Sequence, residues 1–142
     1  MKAQADSMIS SGMAKAGYTH VNIDDCWQLT NRTLPWSDPK ARQIANPYHF
    51  PSGMKALADH LHGLDPPMKL GVYTARCKYT CQLFAASFGH EAIDAQQWAE
   101  WGVDCASSSA LAPSRMSRPD KCARVCVCRL EDGRVLRRCR AG

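Results

Sequence analysis

Gly17-Tyr18-Thr19-His20-Val21-Asn22-Ile23-Asp24-Asp25-Cys26-Trp27-Gln28 is the stretch on which the fold turns. Thr19, Val21 and Ile23 alternate with Tyr18, His20 and Asn22, the period-two pattern of a strand with two unlike faces. That strand ends on two adjacent carboxylates. Barrels of alternating strands and helices keep the groups that hold their substrates at the carboxyl ends of the strands. Spacing alone leaves two readings open, because Asp24 and Asp25 could accept hydrogen bonds from a ligand or cap the turn that follows.

Upstream, Ile9, Met13 and Ala16 recur at helical spacing with Met8 beside them, which predicts a helix over 2–16 with Gly17 just past its end. Downstream, the interval Leu29 to Pro51 carries Pro35, Pro39, Pro47 and Pro51 and predicts a long irregular connection of the kind that is usually functional or disordered. Helical spacing resumes at Met54, Leu57, Ala58 and Leu61, with Ser52 as N-cap and a stop near Gly63 and Pro66-Pro67. Lys69 to Tyr73 predicts a short strand. Ala95, Trp98, Ala99 and Gly102 outline a helix from about Glu91 to Trp101, after which Val103-Asp104 begins a third strand. The order helix, strand, helix, strand, helix, strand start implies an α/β fold with parallel strands and crossover helices.

A chain of 142 residues suits one modest domain with a single core. It is short of the roughly 250 residues of a closed eight-stranded barrel. The formal charge of +5 is unevenly placed. Residues 1–104 carry nine Lys/Arg against ten Asp/Glu, whereas 105–142 carry nine basic groups, eight of them Arg, against three acids. Met1-Lys2-Ala3-Gln4-Ala5-Asp6-Ser7 lacks the apolar core of a signal peptide and no run approaches a membrane span, so the expectation is a soluble chain without a targeting signal. His60 and His62, spaced i, i+2, do not share a helix face and predict no metal site. His20 and His90 are expected to be structural.

The last 38 residues hold no Phe, Tyr, Trp, Ile, His, Asn, Gln or Thr. Such a segment buries little, and 105–142 is expected to be a disordered, Arg/Cys-rich basic tail unrelated to the rest. Its bias toward residues with GC-rich codons suggests translation from a shifted frame or a retained intron. Cys122, Cys126, Cys128 and Cys139 supply four thiols for a zinc module, without the paired C-x2-C spacing of strong zinc signals. Arg134 to Arg140 could hold phosphates but lacks interleaved aromatics, so no nucleic-acid partner is expected. Asn31-Arg32-Thr33 has the form of a glycosylation acceptor, read here as a turn.

Several ordered blocks make residues 3–104 resemble the amino-terminal half of family 27 glycoside hydrolases, the α-galactosidases and α-N-acetylgalactosaminidases of the melibiase clan. The blocks are Gly17-Tyr18 with Val21-Asn22-Ile23-Asp24-Asp25-Cys26-Trp27; Phe50-Pro51-Ser52-Gly53-Met54-Lys55-Ala56-Leu57-Ala58; Lys69-Leu70-Gly71-Val72-Tyr73-Thr74-Ala75-Arg76; Thr80-Cys81; Ser87-Phe88-Gly89-His90-Glu91 with Asp94-Ala95; and Trp98-Ala99-Glu100-Trp101-Gly102-Val103-Asp104. The resemblance implies a (β/α)8 TIM barrel followed by a β-sandwich, with terminal α-galactosides as substrates, no cofactor and no metal. It also implies a parent that is often homodimeric and is lysosomal, vacuolar or secreted. Asp24 and Asp25 match carboxylates that accept hydrogen bonds from sugar hydroxyls, a role suited to groups that only accept. Trp27 matches an apolar wall nearby, Tyr73 a pocket tyrosine, and Cys81 a pocket-edge cysteine held in a disulfide.

The implied reaction retains anomeric configuration and uses two carboxyl groups roughly 5 Å apart, a nucleophile and a general acid/base. In the family the nucleophile follows Trp101-Gly102-Val103-Asp104 within a Lys-x-Asp segment. Here Cys105-Ala106-Ser107-Ser108-Ser109-Ala110-Leu111 holds neither Lys nor Asp, and the acid/base of the sixth strand has no counterpart. Cys77 stands where Gly is usual, and the partners the resemblance implies for Cys26 and Cys81 are missing. The expectation is a partial, incomplete barrel with exposed inner faces: an α-galactosidase-type hydrolase by descent, present as a truncated and inactive fragment. The alternatives are a weak galactose-binding remnant, or a zinc or nucleic-acid module in the tail.

Overall fold

The computed structural model describes residues 1–109 and the backbone of 126–129 and 135–138. Its elements are α1 (Lys2–Ser10), β1 (His20–Ile23), β2 (Gln28–Arg32), β3 (Gln43–Ala45), α2 (Gly53–His62), β4 (Lys69–Ala75), α3 (Glu91–Trp101), β5 (Cys105–Ser109), β6 (Cys126–Arg129) and β7 (Val135–Arg138). The main sheet runs β1-β4-β5-β6-β7, and β2 and β3 form a separate pair. β1, β4 and β5 are parallel, joined through helices as the alternating pattern predicts. β6 and β7 add antiparallel strands where the sequence predicts a disordered tail. The remainder of that tail, with Cys122, Cys139, Arg134 and Arg140, lies outside the described residues.

Register explains the core. Val21 lies opposite Leu70 and Ile23 opposite Val72, and Val72 in turn opposes Ala106. These side chains form one face of the sheet and pack on Ala5 of α1, Met54, Leu57 and Leu61 of α2, and Trp98 of α3. Burial of each large aliphatic side chain contributes about 1.5–3 kcal/mol. The opposite face presents His20, Asn22 and Ser107, all exposed, with Tyr73 half-buried. Its middle is Gly71, where a Cβ would stand 1.8 Å from Asn22 Oδ1 and 3.0 Å from Cys105 Sγ. Only glycine leaves the Asn22 side chain where it lies across the sheet.

Three elements differ from expectation. α1 stops at Ser10, short of Ala16. Ser10 and Ser11 donate side-chain hydrogen bonds to the carbonyls of Ser7 and Met8, and Gly12 turns left-handed at φ 80°, so the backbone leaves the helix there. The third strand starts at Cys105: the Val103 N–H is still held by Trp98 O in the closing turn of α3, and the Asp104 N–H already reaches Leu70 O of β4. Finally, the connection expected to be irregular holds the β2–β3 pair.

That pair is held by polar groups. Arg32 and Asp94 form a bidentate ion pair with both N···O distances 2.7 Å, its side chains 1% and 0% exposed. The other two Nη hydrogens go to the carbonyls of Ala41 and Ala86, and the buried Nε–H has no partner among the described residues. Gln28 and Gln43 both donate to Ala85 O. Gln97 donates to Gln43 O, and the Trp98 indole donates to Gln43 Oε1. β2, β3, the 77–90 loop and α3 are thus joined through one buried cluster. Asp94→Ala leaves the Arg32 charge buried without a partner and should cost about 3–5 kcal/mol. Urea denaturation should show this loss, with part of it recovered in the Arg32→Leu/Asp94→Ala double variant.

Candidate functional site

Asp24 and Asp25 leave β1 at the carboxyl end of the parallel sheet, and Tyr73 lies near the same end of β4 next door. The turn is tight: Asp25 N–H donates to Asp24 Oδ1 and Cys26 N–H to Asp25 Oδ1, each at 2.8 Å. Cys26 takes the left-handed conformation at φ 75°, uncommon for a residue with a side chain. Asp25 Oδ2 accepts the Gln82 N–H at 3.1 Å, tying the carboxylate to the 77–90 loop. Asp24 Oδ2 has no protein partner among the described residues and faces solvent. The turn-capping and ligand readings of the two carboxylates therefore coexist: Asp25 uses both oxygens on backbone, while Asp24 keeps one outward.

Tyr73 Oη lies 3.8 Å from Cys81 Sγ, which brings two of the sequence-predicted residues together at the loop. Cys81 is exposed and its thiol free, unlike the disulfide that the family resemblance implies, and the Cys26 thiol is free as well. Cys77 is disulfide-bonded. Trp27 is not a pocket wall. It is 1% exposed in the core, its indole N–H donates to Tyr73 O at 2.6 Å, and it meets Trp101 edge-on at 6.1 Å. It fixes the backbone of β4 beneath Tyr73 and touches the site only through that strand.

Two residues that sequence patterns do not single out belong to this region. Gln82 contributes through its backbone amide, which carries no residue-type signal. Leu83 adopts a left-handed conformation at φ 65° and is 69% exposed, at the tip of a loop closed by Leu83 N–H to Thr80 O and Phe84 N–H to Thr80 Oγ1. Across the sheet, β5 sets Ser107 opposite Tyr73 and Ser109 opposite Ala75. Serines thus stand on the strand where the resemblance places Lys-x-Asp. Elsewhere, His62 pairs with Asp104 at 2.8 Å and His60 with Asp6 at 3.2 Å. Among the described residues no group of three or more His, Cys, Asp or Glu could hold a metal, and no helix is long and apolar enough to cross a membrane.

Electrostatics marks Cys26. Burial pushes its thiol pKa up, and the neighbouring Asp25 and Asp24 charges push it the same way. A thiol raised above its ordinary value holds its proton more firmly at neutral pH and is a poorer nucleophile. At neutral pH, iodoacetamide should therefore label Cys81 well before Cys26 by peptide mapping. Asp25→Asn should speed Cys26 labelling only modestly, since burial, the larger cause, remains.

The family model described as alpha galactosidase A (Melibiase_2) matches residues 1–117, running past Asp104. Alpha-galactosidase A of Cellvibrio japonicus is 44% identical over 104 residues, covering 73% of this chain and 24% of that protein. Alpha-galactosidase 3 of Arabidopsis thaliana is 43% identical over 104 residues, covering 73% of this chain and 22% of that protein. The solved structure of the Saccharomyces cerevisiae α-galactosidase with raffinose aligns with a TM-score of 0.64 at 34% identity, over 72% of this chain and 21% of that one. The mixed α/β architecture is thus shared with solved glycoside hydrolases. The chain belongs to the Melibiase_2 family of α-galactosidase type. It spans about a quarter of the length of the curated relatives it matches.

Proposed function

We propose that this chain is the first part of the barrel of a retaining α-galactosidase and carries half of its sugar site. The observation that carries the reading is the pairing of Asp24-Asp25 at the end of β1 with Tyr73 near the end of β4, across a parallel register. In this reading Asp24, whose Oδ2 faces outward, accepts hydrogen bonds from sugar hydroxyls. Asp25 shares that task while anchoring the loop through Gln82. The Tyr73 hydroxyl and Cys81 Sγ line the same edge, and Trp27 positions β4 from below. Raffinose, bound by the yeast relative, is a terminal α-galactoside of the class this half-site would take.

The chemistry of retention requires a second pair of carboxyl groups, one to attack the anomeric carbon and one to protonate the departing oxygen. The segment from Cys105 to Leu111 supplies neither an attacking carboxylate nor the lysine beside it. The barrel in this reading is incomplete and the chain binds without turning over. Three parallel strands with helices on one face leave the other open to water, which weakens each charge-assisted hydrogen bond to a ligand.

The purified chain should release no p-nitrophenol from p-nitrophenyl α-galactoside above the uncatalysed rate. Galactose should shift amide resonances of Asp24, Asp25 and Gln82 with a Kd of about 1 mM or weaker, near −4 kcal/mol, and glucose should shift them less. Asp24→Asn removes a charged acceptor worth about 1.5–3 kcal/mol and should abolish the shifts. Turnover that survives Asp24→Asn, or equal shifts with both sugars, would overturn the assignment.

A further inference from the structure

We propose that Asn31 is an acceptor for an N-linked glycan, and that the groove beside it seats the first sugar residue. The sequence Asn31-Arg32-Thr33 satisfies the acceptor pattern, with a residue other than proline in the middle. Sequence alone reads it as a turn. The fold separates the two readings through the alternation of β2. Arg32 points inward to its ion pair with Asp94, so its neighbours Asn31 and Thr33 are both exposed. The Asn31 side chain makes no hydrogen bond among the described residues, so its amide nitrogen is not engaged elsewhere. Thr33 is held by two bonds to Arg42: its N–H donates to Arg42 O at 3.0 Å, and its Oγ1 accepts the Arg42 N–H at 2.9 Å.

The surroundings suit a sugar. Asn31 and Thr33 line an open groove with Leu34, Trp36, Lys78 and Tyr79. Leu34 and Tyr79 are each 43% exposed and so offer apolar surface beside Asn31. Trp36 and Tyr79 are tilted ring neighbours at 6.1 Å, and the Lys78 ammonium lies 5.7 Å from one ring centroid and 5.5 Å from the other. An amphipathic sugar ring leaving Asn31 would cover the exposed Tyr79 and Leu34 surface while its hydroxyls stay in water.

The step is a group transfer from a lipid-linked oligosaccharide diphosphate. The Asn31 Nδ2 forms a bond to C1 of the donor sugar, and the bond from C1 to the diphosphate oxygen breaks. The lipid diphosphate leaves with the electron pair, and the amide proton passes to a base of the transferase. No oxidant or reductant is involved.

The test is mass spectrometry on the full chain isolated from its own cells, digested with peptide:N-glycanase in heavy-oxygen water. The expected result is loss of one oligosaccharide mass and an oxygen-18-labelled aspartate at position 31. Unmodified Asn31 throughout would overturn the proposal. Because the readout is made on denatured protein, variants need not fold: Asn31→Gln and Thr33→Ala should abolish the mass shift, and Thr33→Ser should keep it. The seat is tested separately. Tyr79→Ala should quicken endoglycosidase removal of the glycan from native protein severalfold, and an unchanged rate would remove the groove from the proposal.

Discussion

The buried pair of Arg32 with Asp94 is the constraint on which the remaining geometry rests. A guanidinium and a carboxylate removed from water are costly unless they pair with each other and most of their protons find acceptors; in Arg32 four of the five do, Nε–H being the exception among the described residues. Here the guanidinium also reaches the carbonyls of Ala41 and Ala86. Those contacts bind the β2–β3 pair, the 77–90 loop and α3 to one another, and the neighbouring amides of Gln28 and Gln43 fasten the same loop at Ala85. The loop carries Gln82, whose N–H holds Asp25, and Cys81, which meets Tyr73. The candidate site is therefore tied to an electrostatic clip whose Arg32 follows the carboxylates closely in sequence and whose Asp94 comes from α3. A surface contact, Arg42 with Glu100, lies on the same elements; it lowers the Glu100 carboxyl pKa and raises that of the Arg42 guanidinium.

How legible these features were depended on which kind of residue formed them. α2 follows hydrophobic period, and Met54, Leu57, Ala58 and Leu61 are buried as their spacing predicts, whereas of the stripe that outlined α3 only Trp98 is buried, beside the polar Asp94 and Gln97. The carboxyl end of β1 was equally plain, because Asp24-Asp25 follows an alternating strand directly. β2 and β3 were hidden because their inward side chains are Gln28, Arg32 and Gln43, polar groups that no hydrophobic pattern reveals. The prolines between Leu29 and Pro51 then favoured a loop reading. The end of α1 was missed for a local reason: serines bonding back to the helix and a left-handed Gly12 outweigh the apolar spacing of Met13 and Ala16.

For the site, the sequence names residue types, and the fold sets Tyr73 beside Cys81 and Asp25 against the amide of Gln82. The Trp27 ring lies in the core and donates to the Tyr73 carbonyl. An aromatic residue two positions after a carboxylate carries no mark of which way its ring turns. Cys81 is another such case, because the sequence names the thiol while its pairing depends on residues elsewhere.

The glycine at position 71 has a further consequence. With no side chain there, Asn22 lies flat across the middle strand toward Cys105, and its amide oxygen is 3.7 Å from that thiol. Across β1, β4 and β5 the exposed face is therefore polar, with His20, Asn22 and Ser107 outward in place of an apolar shelf. Such a surface offers an approaching strand or sheet little to pack against, so the fold carries its own resistance to face-to-face stacking in the layer where a half-covered sheet is most vulnerable.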